Sequence, residues 1–222
     1  MSESKATLAV LGGTGKEGKG LAYRWAKAGY KVTIGSRDIE KAKAAATELN
    51  ELLGSSMVEG QDNLIAAQNS ELVVLTVPHS AHKSTLETVK EALQGKILVD
   101  VTVPLVPPKV TKVQMPPAGS AAQEAKEILG DGVEVVDAFQ SISYEHLMFG
   151  EEVPCDVLVT GSSKEARLKV IKLVEDAGLT GWDAGPIENS VVVEGLTSLL
   201  IYINKQYGST HAGIKITGVH KP

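Results

Sequence analysis

Val10-Leu11-Gly12-Gly13-Thr14-Gly15-Lys16-Glu17-Gly18-Lys19-Gly20 stands directly after an apolar, strand-like stretch, Thr7 to Leu11. It leads into a helical pattern through Leu21, Tyr23, Trp25 and Ala26. Placed between a strand and a helix, Gly13-x-Gly15-x-x-Gly18 reads as a dinucleotide-binding fingerprint. Gly13 is expected to permit the tight turn, Gly15 to let a pyrophosphate approach the backbone, and Gly18 to let the helix pack closely on the strand. Thr14, Lys16 and Glu17 complete the loop and the first helical turn, where free N–H groups and a partial positive charge suit phosphate. The alternative is a glycine turn belonging to some other α/β protein.

The next strand-like run, Lys31-Val32-Thr33-Ile34-Gly35, ends in Ser36-Arg37. A site for NAD usually places Asp or Glu here, about 20 residues past the glycines, to accept from the ribose 2′-hydroxyl. No carboxylate stands at Gly35 or Ser36. Ser36 offers one hydrogen bond to a 2′-phosphate and Arg37 offers a planar fork. Lys41, one helical turn on, adds a third candidate contact, while Asp38 reads as the N-cap of the following helix. NADP(H) is therefore the expected cofactor. Otherwise Arg37 and Lys41 are ordinary solvated charges at a helix start.

A chain of 222 residues is long enough for one doubly wound domain with a short addition. The net charge of −5, without a long run of either sign, argues against nucleic acid or an anionic membrane as a partner. The single cysteine, Cys155, forms no internal disulfide and fits a reducing, cytoplasmic setting. Met1-Ser2-Glu3-Ser4-Lys5 carries no apolar core of a signal peptide. The most apolar helical stretch, Val191 to Ile203, contains Glu194 and is too short to span a bilayer.

Beyond Arg37, strand and helix patterns alternate: a helix through Ile39 to Leu52, a short strand around Met57-Val58, and a helix near Asn63 to Ala67. Leu72 to Val77 is continuously apolar, as a parallel strand buried on both faces should be. A helix over 80–94, strand Lys96–Asp100, a helix over 119–129 and strand Val133–Asp137 follow. Strands Cys155–Thr160 and Gly181–Ala184 flank a helix over 163–177, and a last helix covers roughly 189–207. That order predicts a Rossmann-type, doubly wound parallel sheet with helices on both faces and a small C-terminal helical part. The expected division is a nucleotide-binding domain over 1–186 and a helical segment over 187–222 that completes a substrate cleft.

Ligands of such sheets bind at the carboxyl ends of the strands. Thr76-Val77-Pro78-His79 ends one strand where the nicotinamide ribose is expected, and Asp100-Val101-Thr102 ends the next. The proline-rich loop from Pro104 to Pro117 is either a binding loop or a stiff connector. Ala138-Phe139-Gln140-Ser141-Ile142-Ser143 ends a third strand on the same side. His79 and His82, three residues apart at a helix start, could suit a metal, but no cysteine or carboxylate completes a ligand set, so no metal is expected. Asp100 reads as a buried carboxylate or a strand-end cap. No catalytic acid, base or nucleophile stands out. Hydride transfer between two rings depends on alignment and exclusion of water more than on a strong base.

Ala9 to Gly15, Gly18 to Ala22, Gly35-Ser36-Arg37 with Lys41, Val74 to Pro78 and Asp183-Ala184-Gly185-Pro186 together resemble the coenzyme F420-dependent NADP oxidoreductases. Asn189-Ser190, Val193-Glu194, Leu196-Thr197 and Gly213-Ile214-Lys215 extend the resemblance almost to the end of the chain. It implies reversible hydride transfer between NADPH and the deazaflavin F420, with Thr14, Ser36, Arg37 and Lys41 holding NADP. It also implies an acceptor cleft lined by residues 138–143, including Phe139, Gln140, Ser141 and Ile142, and by Leu196, Leu199 and Leu200, with Gly213 and Ile214 closing it. Phe139–Ser143 departs from the archaeal pattern, which carries a histidine and a proline there. Loop 104–117 and the extension through Thr217 to Pro222 depart as well.

Two other functions stay open on the residues alone. One is an NADPH-dependent reductase of another acceptor, such as a flavin, quinone, ferric chelate or cyclic imine; the other is a non-enzymatic NADP(H)-binding sensor. The last helix is apolar on most sides, through Val191, Val192, Leu196, Leu199, Leu200 and Ile203, and such a helix is expected to be buried. A homodimer interface is the expected cover, with burial inside the chain as the alternative. Gly195 within it points to close packing of a backbone or a ring.

Overall fold

The computed structural model describes residues 5–149 and 153–219. Met1–Ser4, on which the reading of a leaderless start rests, and the last residues of the C-terminal extension lie outside the described residues. The first half runs β1 (Leu8–Leu11), α1 (Lys16–Lys27), β2 (Val32–Ser36), α2 (Ile39–Leu53), β3 (Val58–Asp62), α3 (Asn63–Gln68), β4 (Leu72–Leu75) and α4 (His79–Leu93). The second runs β5 (Ile97–Asp100), α5 (Ala121–Leu129), β6 (Glu134–Asp137), α6 (Tyr144–Phe149), β7 (Asp156–Gly161), α7 (Lys164–Asp176), β8 (Thr180–Pro186) and α8 (Ser190–Tyr207). The strands form one eight-stranded sheet in the order β3-β2-β1-β4-β5-β6-β7-β8. Its chain reversal between β3 and β4 is the doubly wound pattern.

Alternate residues of the central strands feed two separate cores, because side chains along a strand point to opposite faces. Leu8, Val10, Leu72, Val74, Val99 and Val136 face the layer that holds Leu21 and Trp25 of α1 and Val170 and Leu173 of α7. Ala9, Leu11, Val73, Leu75, Leu98 and Val135 face Leu86, Val89 and Leu93 of α4 and Ala122, Ala125 and Leu129 of α5. Polar side chains mark the helix starts. Asp38, Asp62, Ser120 and Ser163 each accept backbone N–H bonds as N-caps of α2, α3, α5 and α7. Asp38 is thus the cap its position predicts.

The sheet differs from the expected all-parallel one at a single joint. β6 and β7 run antiparallel, joined through only Val136↔Gly161 and Asp137↔Thr160. A parallel return needs a crossover that carries the chain back to the amino end of the sheet, usually a helix lying on one face. Here the chain after β6 spends its length on a turn and the short α6, which packs on α1. The buried Arg24 of α1 fixes it there by donating to the carbonyls of His146, Leu147 and Ala177. Buried strands of either orientation carry the same apolar run, so the pattern of β7 could not reveal its direction.

α8 follows β8 and rises beside the carboxyl ends of β5 and β6. Val193, Glu194, Gly195 and Ser198 are buried there against the loop after β5 and the start of α5. A side chain at Gly195 would meet Met115 and Val113 of that loop, so the close neighbours are aliphatic side chains and not a backbone or a ring. The other face of α8 stays open within the chain: Val192 is 63 % exposed, Leu199 51 % and Tyr202 54 %.

Candidate active site

The carboxyl ends of β1, β2, β4, β5 and β6 open into one cavity of about 880 Å3. Its wall begins at the β1–α1 turn. Gly12, with φ +69°, is the left-handed residue of that turn, so the tight bend falls one position before the expected Gly13. Gly13 is buried instead, its N–H shared between the carbonyls of Val10 and Gly35. At Gly18 a Cβ would stand 2.6 Å from Gly13 Cα and from Thr76 Oγ1, so only glycine lets α1 approach the strand ends this closely. Around Gly15 the only near atom is Gly12 O at 3.8 Å, which leaves the side facing the cavity open.

Thr14, Lys16 and Glu17 line the same end. Lys16 Nζ donates to Tyr144 Oη at 3.2 Å and lies over its ring, tying the start of α1 to α6. Burial pushes the Glu17 carboxyl up to about 8, so near neutral pH this loop carries no anion that would repel phosphate. Asn63, which the sequence reading missed, lines the wall and accepts from the Gly12 N–H at 3.3 Å. Its signal was positional: it opens α3, directly beyond the end of β3.

Ser36 and Arg37 stand at the end of β2 on the cavity wall. Ser36 Oγ accepts from the Asp38 N–H at 3.1 Å and keeps its own hydrogen free to donate. Lys41 departs from expectation. It does not line the cavity, and its ammonium lies 3.8 Å from the Asp38 carboxylate on the exposed face of α2.

Thr76, Val77, Pro78 and His79, at the β4–α4 junction, and Val101, after β5, continue the wall. Thr76 Oγ1 donates to Leu11 O at 3.0 Å, locking the end of β4 to that of β1. Beyond them lie Gln140, Ser141 and Ile142, then Leu200, Ile201 and Asn204 of α8 and Thr210 and Ala212 after it. Loop residues Val103, Leu105, Pro107 and Val110 close the side, so the proline-rich stretch lines the cavity.

Several expected members stand elsewhere. Phe139 is buried in the core, its ring edge-on to Trp25 with centroids 5.8 Å apart. Its φ of +78° is the only positive one on a non-glycine among the described residues, and that bend turns the next three residues into the cavity. Leu196 and Leu199 do not reach the lining. Gly213 packs against Cys155, and Ile214 O accepts from the Asp156 N–H, so both lie along the start of β7; Thr210 and Ala212 line the cavity instead.

Behind the wall lies a buried polar layer. Asp100, Asp137, Glu194 and His82 are all shielded from solvent. Gln140 Nε2 donates to Asp100 O at 2.8 Å and to Asp137. Gln140 Oε1 and the Ser141 hydroxyl, both shielded from solvent, have no hydrogen-bond partner among the described residues. Asp137 is held well above the usual carboxylate range by burial and by the Glu194 and Asp100 carboxylates. Burial pushes Glu194 up to about 8, against the pull of the Ala121 and Ala122 N–H groups that it accepts at 2.7 and 3.0 Å.

Asp100 is the buried strand-end cap, accepting from the Thr102 N–H at 3.0 Å. It also accepts from His82 Nε2 at 2.7 Å. Burial works against a charge on His82, but the Asp100 and Glu124 carboxylates outweigh it and leave the imidazole above its ordinary range. Glu124 overturns the expectation that no carboxylate joins the two histidines. It comes from α5, and its Oε2 lies 3.2 Å from His79 Nε2 and 3.1 Å from His82 Nδ1.

Residues 7–104 match the family described as NADP oxidoreductase, coenzyme F420-dependent. The chain is 39 % identical over 221 residues to the F420-dependent NADP reductase of Methanocaldococcus jannaschii, covering 96 % of this chain and 98 % of that one. It is 41 % identical to the enzyme of the same name from Methanothermobacter marburgensis, over the same shares of the two chains. A crystal structure from Arthrobacter sp. FB24, assigned as an F420-dependent NADP reductase, superposes with a TM-score of 0.81 at 26 % identity, covering 96 % of this chain and all of that one.

Proposed function

Since the chain belongs to the family of F420-dependent NADP reductases, we propose that it transfers a hydride between NADP(H) and the deazaflavin coenzyme F420. One observation carries this: a single cavity runs from a serine and an arginine suited to a 2′-phosphate to a wall of apolar side chains from the loop after β5 and from α8. When both are bound, the nicotinamide gives the hydride at C4 and the deazaflavin takes it at C5, with one proton drawn from solution.

The chain's part is binding, orientation and exclusion of water. Thr14, Gly15 and the first N–H groups of α1 hold the pyrophosphate, with Gly13 buried behind the turn and Gly18 letting α1 come close. Lys16 adds a positive charge, and Glu17 stays protonated beside it. Ser36 donates to the 2′-phosphate and Arg37 grips it with its fork; an NAD ribose would leave that fork without a partner. Thr76, Val77, Pro78, His79 and Val101 support the nicotinamide end. Gln140, Ser141, Ile142 and Leu200 receive the acceptor, and Val103, Leu105 and Val110 keep water from the space between the two rings.

The working division is a nucleotide-binding part over 1–186 and an α8 part over 187–222 that completes the acceptor end. The open stripe of Val192, Leu199, Tyr202 and Ile203 is apolar surface of the kind that a second copy of the chain covers, and we assign it to a homodimer. A Leu199→Glu variant that runs as a monomer by light scattering, where the parent runs as a dimer, would support that assignment. No described helix is long and apolar enough to cross a membrane, and the lone buried Cys155 suits a cytoplasmic enzyme.

The test is spectrophotometric: purified protein with oxidised F420 and NADPH, with NADH and FMN in parallel reactions. Bleaching of F420 by NADPH and not by NADH is the expected result. An FMN reaction without an F420 reaction would move the activity to another acceptor.

A further inference from the structure

We propose that His79, His82 and Glu124 form a binding site for a divalent transition-metal ion of the zinc type, beside the nicotinamide end of the cavity. The assignment is independent of which acceptor the cavity receives. Two imidazoles and one carboxylate are the donor set that zinc and cobalt take, whereas magnesium and calcium ask for oxygen alone. The histidines lie three residues apart in the first turn of α4, and so on one face of it. Their rings are nearly parallel, with centroids 5.8 Å apart.

The spacing suits a metal. Glu124 Oε2 is 3.2 Å from His79 Nε2 and 3.1 Å from His82 Nδ1, and the three atoms lie within 4.8 Å of one another. Tetrahedral ligands held at zinc distances stand about 3.3 Å apart. An ion at the centre of the three would replace the hydrogens that now bridge nitrogen and oxygen, releasing them to solvent.

The surroundings prepare one ligand in advance. His82 has its Nε2 against Asp100 Oδ2 at 2.7 Å, with both side chains fully buried. The other Asp100 oxygen is fixed by the Thr102 N–H. Asp100 thereby fixes the ring so that Nδ1 faces Glu124, and the proton that Nδ1 shares with Glu124 leaves as the ion binds; a carboxylate on the far nitrogen is how metal-binding imidazoles are oriented. His79 and Glu124 are each about one quarter exposed, which gives an ion a route in and leaves room for a water as fourth ligand.

Tag-free protein, stripped with a chelator and dialysed, is titrated with Zn2+ and, for its visible absorption, with Co2+. One ion per chain and tetrahedral Co2+ bands are expected. Glu124→Gln, at a partly exposed position, should bind Zn2+ at least tenfold more weakly while keeping its circular dichroism spectrum. Asp100→Asn should weaken binding by about 10- to 100-fold through the misoriented imidazole. Less than one ion per parent chain overturns the proposal. So does a Glu124→Gln protein that binds like the parent, since the metal would then sit on other imidazoles, such as the neighbouring His146 and His211.

Discussion

The two ends of the cavity are built in opposite ways. The end proposed for phosphate comes from one strand, one turn and one helix that are contiguous in the chain, helped by the tip of the adjacent strand. Its working parts are backbone N–H groups, a left-handed glycine and two side chains. The acceptor end is assembled from segments scattered between Val103 and Ala212, and its working parts are side chains on loops and on one face of α8. The glycines of the turn tolerate almost no substitution, because a side chain at Gly12 or Gly18 would collide with Val77, Thr76 or Gly13. A wall of loop and helix side chains can change its ligand without disturbing the sheet.

If that contrast is right, substitutions at the two ends fail differently. The largest effect is expected at Phe139, whose loss removes a buried ring from the core: Phe139→Ala should destabilise the protein by about 3–5 kcal/mol in urea unfolding. What survives should lose F420 turnover more than NADPH affinity, because residues 140–142 lose their anchor. Gly18→Val comes next, since its side chain would collide with Gly13 and Thr76. Overpacking of about 1–3 kcal/mol should weaken NADPH binding roughly 10- to 100-fold by fluorescence titration. If F420 binding fell as far, the ends would not be separable.

The titrating groups give smaller effects. Glu194 holds its proton up to about 8 in the folded chain, whereas an ordinary glutamate loses it near 4.5. Between those values the folded state binds the extra proton, so this group's contribution to stability falls as pH rises. Urea midpoints should therefore decline less steeply with pH in Glu194→Gln than in the parent. The smallest change concerns Glu17. Above about 8 its carboxylate forms beside the bound phosphates, so NADPH affinity should drop there and stay level in Glu17→Gln.

How much was legible follows the same division. The order and type of the strands and helices up to β6 could be read, because apolar periodicity and capping residues are local signals. That the β1–α1 turn and Ser36-Arg37 stand together on the cavity wall was legible for the same reason, apart from the one-residue shift of the bend to Gly12 and the absence of Lys41 from the lining. The reversal of β7 and the existence of α6 were not, since both depend on where Arg24 and the surface of α1 hold the chain after β6. Phe139 looked like a cleft residue because it follows a strand end; only its backbone angle turns it inward. Glu124 was invisible beside His79 and His82, being more than forty residues away in sequence and brought in by the packing of α5 on α4.

The most direct measurement is the pair of Michaelis constants, for NADPH and for F420, in Arg37→Ala and in Leu200→Asp. Losing the fork on the 2′-phosphate should raise the NADPH constant about 10- to 100-fold and leave that for F420 in place. Leu200→Asp should do the reverse, putting a charge on the apolar acceptor wall and leaving NADPH unaffected. Both constants moving together in either variant would contradict a cavity with two independent ends.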